Sequence, residues 1–151
     1  MRITDIITKS ASLLTTNEGH YRRRYDFHDD FDGYLYHATP SQNVEDIRAN
    51  GFRAGSYWGT FTIASYYGED ISDNGDKVHM FMVPLSAFNK NHLVPDYNGI
   101  EEPLTYTLGM SEEDVHEMWY GGEQTWKDCL ELIGSVRYEI PVPPSIISDI
   151  D

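Results

Sequence analysis

The run from Tyr34 to Asp70 constrains the fold most, because each structure-forming piece in it is bounded by residues that stop it. Tyr34-Leu35-Tyr36-His37-Ala38 has the aromatic and aliphatic content of a strand, placed over Gly33 to Ala38. Thr39-Pro40-Ser41 breaks that strand, and Ser41 suits a helix N-cap because its hydroxyl can accept from unpaired N–H groups of the first turn. Val44, Ile47 and Arg48 give the helix a short face, and Asn50-Gly51 ends it by admitting the left-handed backbone at C′. Phe52 is expected to pack back under the sheet. Gly55-Ser56-Tyr57-Trp58-Gly59 reads as an aromatic loop. Thr60 or Thr62 then caps a second short helix through Ile63, Ala64, Tyr66 and Tyr67, ending at Gly68.

The rest of the chain supplies partners for this unit. Glu69 to Asp76 is turn-rich, and Asn74-Gly75 is a hairpin signal. Lys77 to Pro84 is nearly continuous in apolar character, which predicts a central strand buried on both faces. Residues 89–110 read mostly as loop, with the alternating Leu104 to Leu108 as an edge strand; a loop this long in a compact domain is often functional. Ser111 followed by Glu112, Glu113 and Asp114 opens a helix with acids at its positive end, running to Tyr120. Thr125-Trp126-Lys127-Asp128 repeats that pattern on a shorter scale. Leu130, Leu132, Val136 and Tyr138 partly alternate with Glu131, Ser135 and Arg137, which predicts a strand from Leu130 to Val142 with a bulge at Gly134. Ile3, Ile6, Ile7, Ala11 and Leu14 have roughly helical spacing, and residues 17–33 read as a polar connection. The organisation expected is an arm or helix with its loop over 1–32, and one α+β domain over 33–151.

Charge narrows the partners. The 151 residues carry a formal net charge of -14, from 25 acidic and 11 basic side chains. Such a chain is repelled by phosphate backbones and anionic membranes unless it carries a basic patch. The one basic cluster, Arg22-Arg23-Arg24, lies beside Asp26, Asp29, Asp30 and Asp32, which favours local pairing. A macromolecular partner is therefore expected to be protein rather than nucleic acid. Cys129 is the single cysteine, so no intramolecular disulfide and no Cys-rich zinc site can form, and a reducing, cytoplasmic setting is expected. No run approaches the length of apolar sequence that spans a membrane, and the N-terminus lacks the continuous apolar region of a signal peptide.

Three places can carry chemistry. His37 sits at a strand end before a turn, either as a hydrogen-bonded structural histidine or as a cleft residue. Tyr57 and Trp58 either plug the core or form a platform for a planar ring, Trp58 suiting the core better than Tyr57 does. Glu131 or Glu139, toward the last strand, can offer a carboxylate to a developing oxocarbenium ion. His28-Asp29-Asp30-Phe31-Asp32 has its liganding groups adjacent rather than convergent, so no metal is expected. Glycine-rich phosphate loops, zinc-protease motifs and nucleophile elbows are absent.

The order of these pieces resembles the ADP-ribosyltransferase superfamily, in its His-Tyr-Glu branch that includes the poly-ADP-ribose polymerases. The residues that carry the resemblance are Tyr34-Leu35-Tyr36-His37-Ala38-Thr39, Asn50-Gly51-Phe52, Gly55-Ser56-Tyr57-Trp58, Ala64-Ser65-Tyr66-Tyr67 and the closing Val142-Pro143-Pro144-Ser145-Ile146-Ile147. It implies a split, mixed β-sheet with short flanking helices, and NAD as substrate in a cleft between the two halves. It also implies transfer of ADP-ribose to a macromolecule, and the small size and acidity of the chain suit a bacterial or phage effector, toxin or anti-defence protein. His37 with Thr39 would hold the adenosine-side ribose, and Tyr57 would stack on nicotinamide. Ala38, Trp58 and Tyr67 would line the same cofactor site. Glu131, favoured over Glu139, would bind the nicotinamide-side ribose and stabilise its positive charge. An inactive member would instead be a binding module, with residues 89–125 and the acidic surface as its contact face, or a virion-associated structural protein.

Overall fold

Strand β1, Tyr34–Pro40, sends Leu35, His37 and Thr39 to one face and Tyr36 and Ala38 to the other, as the two-residue period of an extended chain requires. In the computed structural model, which describes residues 31–107, 109–121 and 124–150, this strand lies in the middle of a six-stranded sheet. The other strands are β2 (Ser56–Gly59), β3 (Val78–Pro84), β4 (Leu93–Pro95), β5 (Ser135–Tyr138) and β6 (Ser148–Asp149). Their order is β4-β5-β2-β1-β3-β6, and every pairing between them is antiparallel, so the expected mixed sheet is corrected to an antiparallel one within an α+β fold. The arm expected over residues 1–20, the arginine cluster and the start of the acidic run lie outside the described residues.

Pairing is uneven across the sheet. β1 and β3 pair from Tyr34 opposite Pro84 to Pro40 opposite Val78. β1 and β2 share one position, Tyr36 opposite Gly59, and then part. Beyond that point the His37 side chain, not the backbone, links the two strands. The expected aromatic loop at 55–59 is thus largely strand, because Tyr57 and Trp58 pair with Arg137 and Val136 of β5. β3 lies next to the edge rather than at the centre; Phe81 and Val83 are buried while Met80 and Met82 are half-buried. Its unbroken apolar run hid the difference because methionine tolerates either setting.

Among the described residues five helices flank the sheet: α1 (Val44–Asn50), α2 (Phe61–Asp73), α3 (Tyr97–Glu102), α4 (Glu112–Tyr120) and α5 (Trp126–Ile133). A 3-10 turn, Ser41–Asn43, precedes α1, and the Ser41 hydroxyl donates to the Lys77 carbonyl at 3.1 Å instead of capping the helix. Gly51 ends α1 with a positive φ, 76°, but its ψ of -164° is not that of the left-handed helical turn expected there. Phe52 packs into the core as expected, exchanging backbone hydrogen bonds with Val142. Thr60, not Thr62, caps α2 by accepting from the Ile63 N–H. That helix runs past Gly68 to Asp73 because the missing side chain of Gly68 lets it close on Val78 and Ala38; an added Cβ would sit 3.2 Å from Val78 Cγ1. Residues 89–110 hold β4, α3 and a π-helical turn, Pro103–Thr107, in place of a loop with an edge strand, because the fully buried Leu104 anchors that turn in the core.

The largest correction lies at the C-terminal end of the chain. Trp126–Ile133 is a helix, opened by a capping box in which the Thr125 and Asp128 side chains serve each other's backbone N–H groups. Cys129, Leu130, Leu132 and Ile133 are its buried stripe, so the same apolar residues that suggested alternation obey the helical period. Gly134, at φ 75°, ends the helix in the left-handed region and starts β5.

One apolar cluster joins Leu35, Phe52, Trp58, Phe81, Val83 and Val136; a second joins Ile63, Ile100, Leu104, Trp119, Cys129 and Ile133. β6 is held to β3 by a surface ion cluster, with Asp149 Oδ1 2.9 Å from the Arg48 guanidinium and 2.6 Å from His79 Nε2. The Arg48 hydrogen bond, and then that from His79, hold the Asp149 carboxyl below its usual range. A depressed carboxylate contributes stability above its unfolded pKa and loses it as pH falls through the folded value. The protection factor of the Ile150 amide, bonded to the Met80 carbonyl at 3.1 Å, should therefore fall, relative to the intrinsic exchange rate at each pH, once pH drops below the usual carboxylate range. Asp149→Asn should show that lower protection at neutral pH. Equal protection in both proteins at neutral pH would remove the ion cluster as the fastening.

Candidate functional site

The face of the sheet opposite Trp58 carries Tyr36 and Ala38 of β1, Tyr57 and Gly59 of β2, and Ser135 of β5. Over it stand α2, which contributes Ile63, Ala64 and Tyr67, and the start of α3, which contributes Asn98 and Gly99. Between them is a cleft of about 610 Å³, lined also by His37 and Asp96. That volume is in the range that holds a small molecule or nucleotide.

His37 starts from the core-facing side of β1 and borders the cleft where β1 and β2 part. Its ring packs edge-on to Phe52 at 4.7 Å and lies 5.4 Å from Trp58. Nδ1–H donates to the Tyr57 carbonyl at 2.6 Å, which leaves Nε2 as the ring's acceptor. Burial pushes its pKa down, partly offset by the bond to Tyr57, so the ring is neutral at physiological pH. Any ligand hydroxyl that donates to Nε2 loses its acceptor only when the ring protonates, which occurs below the ordinary histidine range near 6.5. Ligand affinity at the cleft should therefore stay level as pH falls from neutrality through that range and drop only below it. NMR titration of the imidazole checks this; protonation above the ordinary range would refute it.

Tyr57 lies on the cleft face, and its hydroxyl accepts from the Asn98 amide at 3.3 Å, so the ring spans from β2 to α3. Its neighbour Trp58 is turned the other way. The Trp58 ring is 1% exposed, edge-on to Phe52 and Phe88, with Nε1–H bonded to the Ser56 hydroxyl. Strand alternation separates the two rings that a loop would have allowed to act together. Trp58 borders the cleft, but its indole belongs to the core. Ala38 and Tyr67 line the cleft. Thr39 is buried, accepts from the Asn43 amide and lies outside the lining.

The carboxylate expected from the C-terminal strand is not there. Glu131 is on the exposed side of α5, and Glu139 is exposed beyond the end of β5; neither lines the cleft. The first residue of β5 is Ser135, and its hydroxyl donates to Asp96 Oδ2 at 2.7 Å. Asp96 is the buried carboxylate of the cleft, 4% exposed, at the junction of β4 and α3. Its Oδ1 accepts from the Gly99 N–H at 3.0 Å, which fixes the carboxylate as the cap of α3. Gly99 is required by proximity, since an added Cβ would lie 2.6 Å from Asp96 Oδ2 and 2.9 Å from Ile133 Cδ1. Below it, the Cys129 sulfur accepts the Asp96 N–H, and burial pushes that thiol far above its usual range, so it packs as a neutral group. The sequence signal for Asp96 was a lone Asp after Pro95 in a segment read as loop, and only pairing with β5 brings it to Ser135.

Among the described residues no cluster of three or more His, Cys, Asp or Glu converges as a metal site, and no helix is long and apolar enough to cross a membrane. The chain matches no known family model, and no curated protein sequence matches it.

Proposed function

We propose that the cleft binds NAD as substrate, breaks its nicotinamide–ribose bond and passes ADP-ribose to a macromolecular acceptor. The observation that carries this reading is the meeting of His37, Tyr57 and a buried carboxylate, Asp96, on one cleft of about 610 Å³. In this reading Tyr57 stacks on the nicotinamide ring, and the His37 Nε2 accepts from a ribose hydroxyl. As the C1′–N bond breaks, its electron pair leaves with nicotinamide, and positive charge grows on the ribose carbon. A fixed carboxylate in a site shielded from water opposes that charge without having to reorganise. The acceptor's nucleophile then bonds to C1′ and releases its proton to solvent. Asp96 takes the role that the resemblance gave to Glu131. The parting of β1 and β2 beyond Tyr36 supports the reading, since it brings His37 to the border of the cleft.

The test is release of nicotinamide from NAD by the purified chain, followed by transfer of isotopically labelled ADP-ribose to proteins of a lysate. Release and labelling are expected. A chain that neither binds NAD nor releases nicotinamide sinks the proposal. One observation favours a second reading, a binding module without turnover: both Asp96 oxygens already have partners. Calorimetric NAD binding without nicotinamide release would select it.

A further inference from the structure

Beside the cleft, α3 turns outward. Asn98 and Gly99 line the cleft, while the preceding residue, Tyr97, stacks on Tyr120 of α4 at 4.1 Å. His116 covers the other side of Tyr120 at 4.2 Å. Tyr120 is nevertheless 53% exposed, and Tyr106 on the adjoining π-helical turn is 84% exposed, the most open large apolar side chain among the described residues. Tyr97, Tyr120 and His116 therefore form an outward aromatic face held by stacking, with the exposed Tyr106 on the adjoining turn.

The charges carried by α3 and α4 are one-sided, and Arg137 of β5 is the cation that stands near Tyr97. Among the described residues, the exposed acids on the two helices are Glu101 of α3 and Glu112, Glu113, Asp114 and Glu117 of α4, and neither helix carries a Lys or Arg. On α4 the acids extend past the end where they help. Glu112, Glu113 and Asp114 suit the positive N-terminus of the helix, whereas Glu117 stands in the last turn, which has no basic residue. Glu113 and Glu117 are also four residues apart, a like-charge spacing that destabilises a helix. The arrangement opposes helix stability, and a cation docked from outside relieves it.

We propose that this face docks a basic, arginine-bearing segment of a protein partner. Guanidinium groups suit it because they pair with carboxylates and also stack on aromatic rings. Nucleic acid is the wrong occupant, since phosphates meet a wall of carboxylates. That the docked segment is the acceptor of ADP-ribose rests on the function proposed above; the docking does not.

Fluorescence anisotropy of a short labelled peptide of alternating Arg and Gly tests the docking. The full chain should bind it, more weakly as salt rises, and should not bind the Glu-for-Arg peptide. Glu117→Lys should weaken binding by roughly 5-fold, the size of one exposed charge pair. The same change should raise the melting temperature, because Glu113 then faces a lysine and the helix end gains a cation. Glu45→Lys, reversing an exposed acid on α1, should change binding little. Equal affinity for both peptides, no effect of Glu117→Lys, or an equal effect of Glu45→Lys would each overturn the proposal. Nicotinamide release with water as acceptor is followed separately. Its absence counts against the catalytic reading and leaves the docking to be decided by anisotropy.

Discussion

Asp96→Asn is expected to lower the rate of nicotinamide release by roughly 10²–10³-fold, the loss typical when one preorganised electrostatic group is removed from a reacting centre. The fold should survive, because Asn caps a helix about as well as Asp and can still accept from the Gly99 N–H. The change should fall on kcat rather than KM, since the carboxylate acts on charge that appears only as the bond breaks. Glu131→Gln should leave the rate unchanged, because that side chain is on the exposed face of α5 and away from the cleft. The opposite pattern, with Glu131→Gln inactive and Asp96→Asn active, would return the catalytic role to the residue that the sequence favoured.

A second pair of substitutions separates the two adjacent rings. Trp58→Ala should destabilise the chain by about 3–5 kcal/mol, the usual range for a fully buried aromatic, because it empties the space between Phe52, Phe88 and His37. That is a large part of the stability of a typical domain, so a markedly lower urea midpoint or outright unfolding is expected. Tyr57→Ala should cost far less stability, since its side chain stands 40% exposed over the cleft. Its loss should instead weaken binding of a nicotinamide ligand by about 2- to 12-fold, equivalent to a stacking energy of roughly 0.5–1.5 kcal/mol. Chemical denaturation and calorimetry measure the two effects. Equal destabilisation by both substitutions would contradict the opposed orientations of the two rings.

Local signals in the chain located several elements well. The aromatic run at Tyr34, the Asn50-Gly51 stop, the Thr60 and Ser111 caps and the apolar run at Val78 each mark an element, because capping and turn chemistry act within a few residues. The same signals misplaced Leu130 to Ile133, whose apolar residues fit both a strand and a helix over so short a span. They also left 89–110 as loop, because β4 is short and exists only through pairing with β5.

The candidate site divides along the same line. His37, Ala38, Tyr57 and Tyr67 were legible in the sequence because each belongs to one continuous run whose spacing is set locally. The preference of Trp58 for the core over Tyr57 was legible from size and apolarity, but its cause, a strand that turns consecutive side chains to opposite faces, was not, because the run reads as loop. The carboxylate was legible least. Ser135 and Asp96 are 39 residues apart and meet because β5 pairs with β2 on one side and β4 on the other. Sequence alone determined the half of the cleft that one continuous run builds; tertiary pairing decided its carboxylate, because that group's position depends on the register of strands distant along the chain.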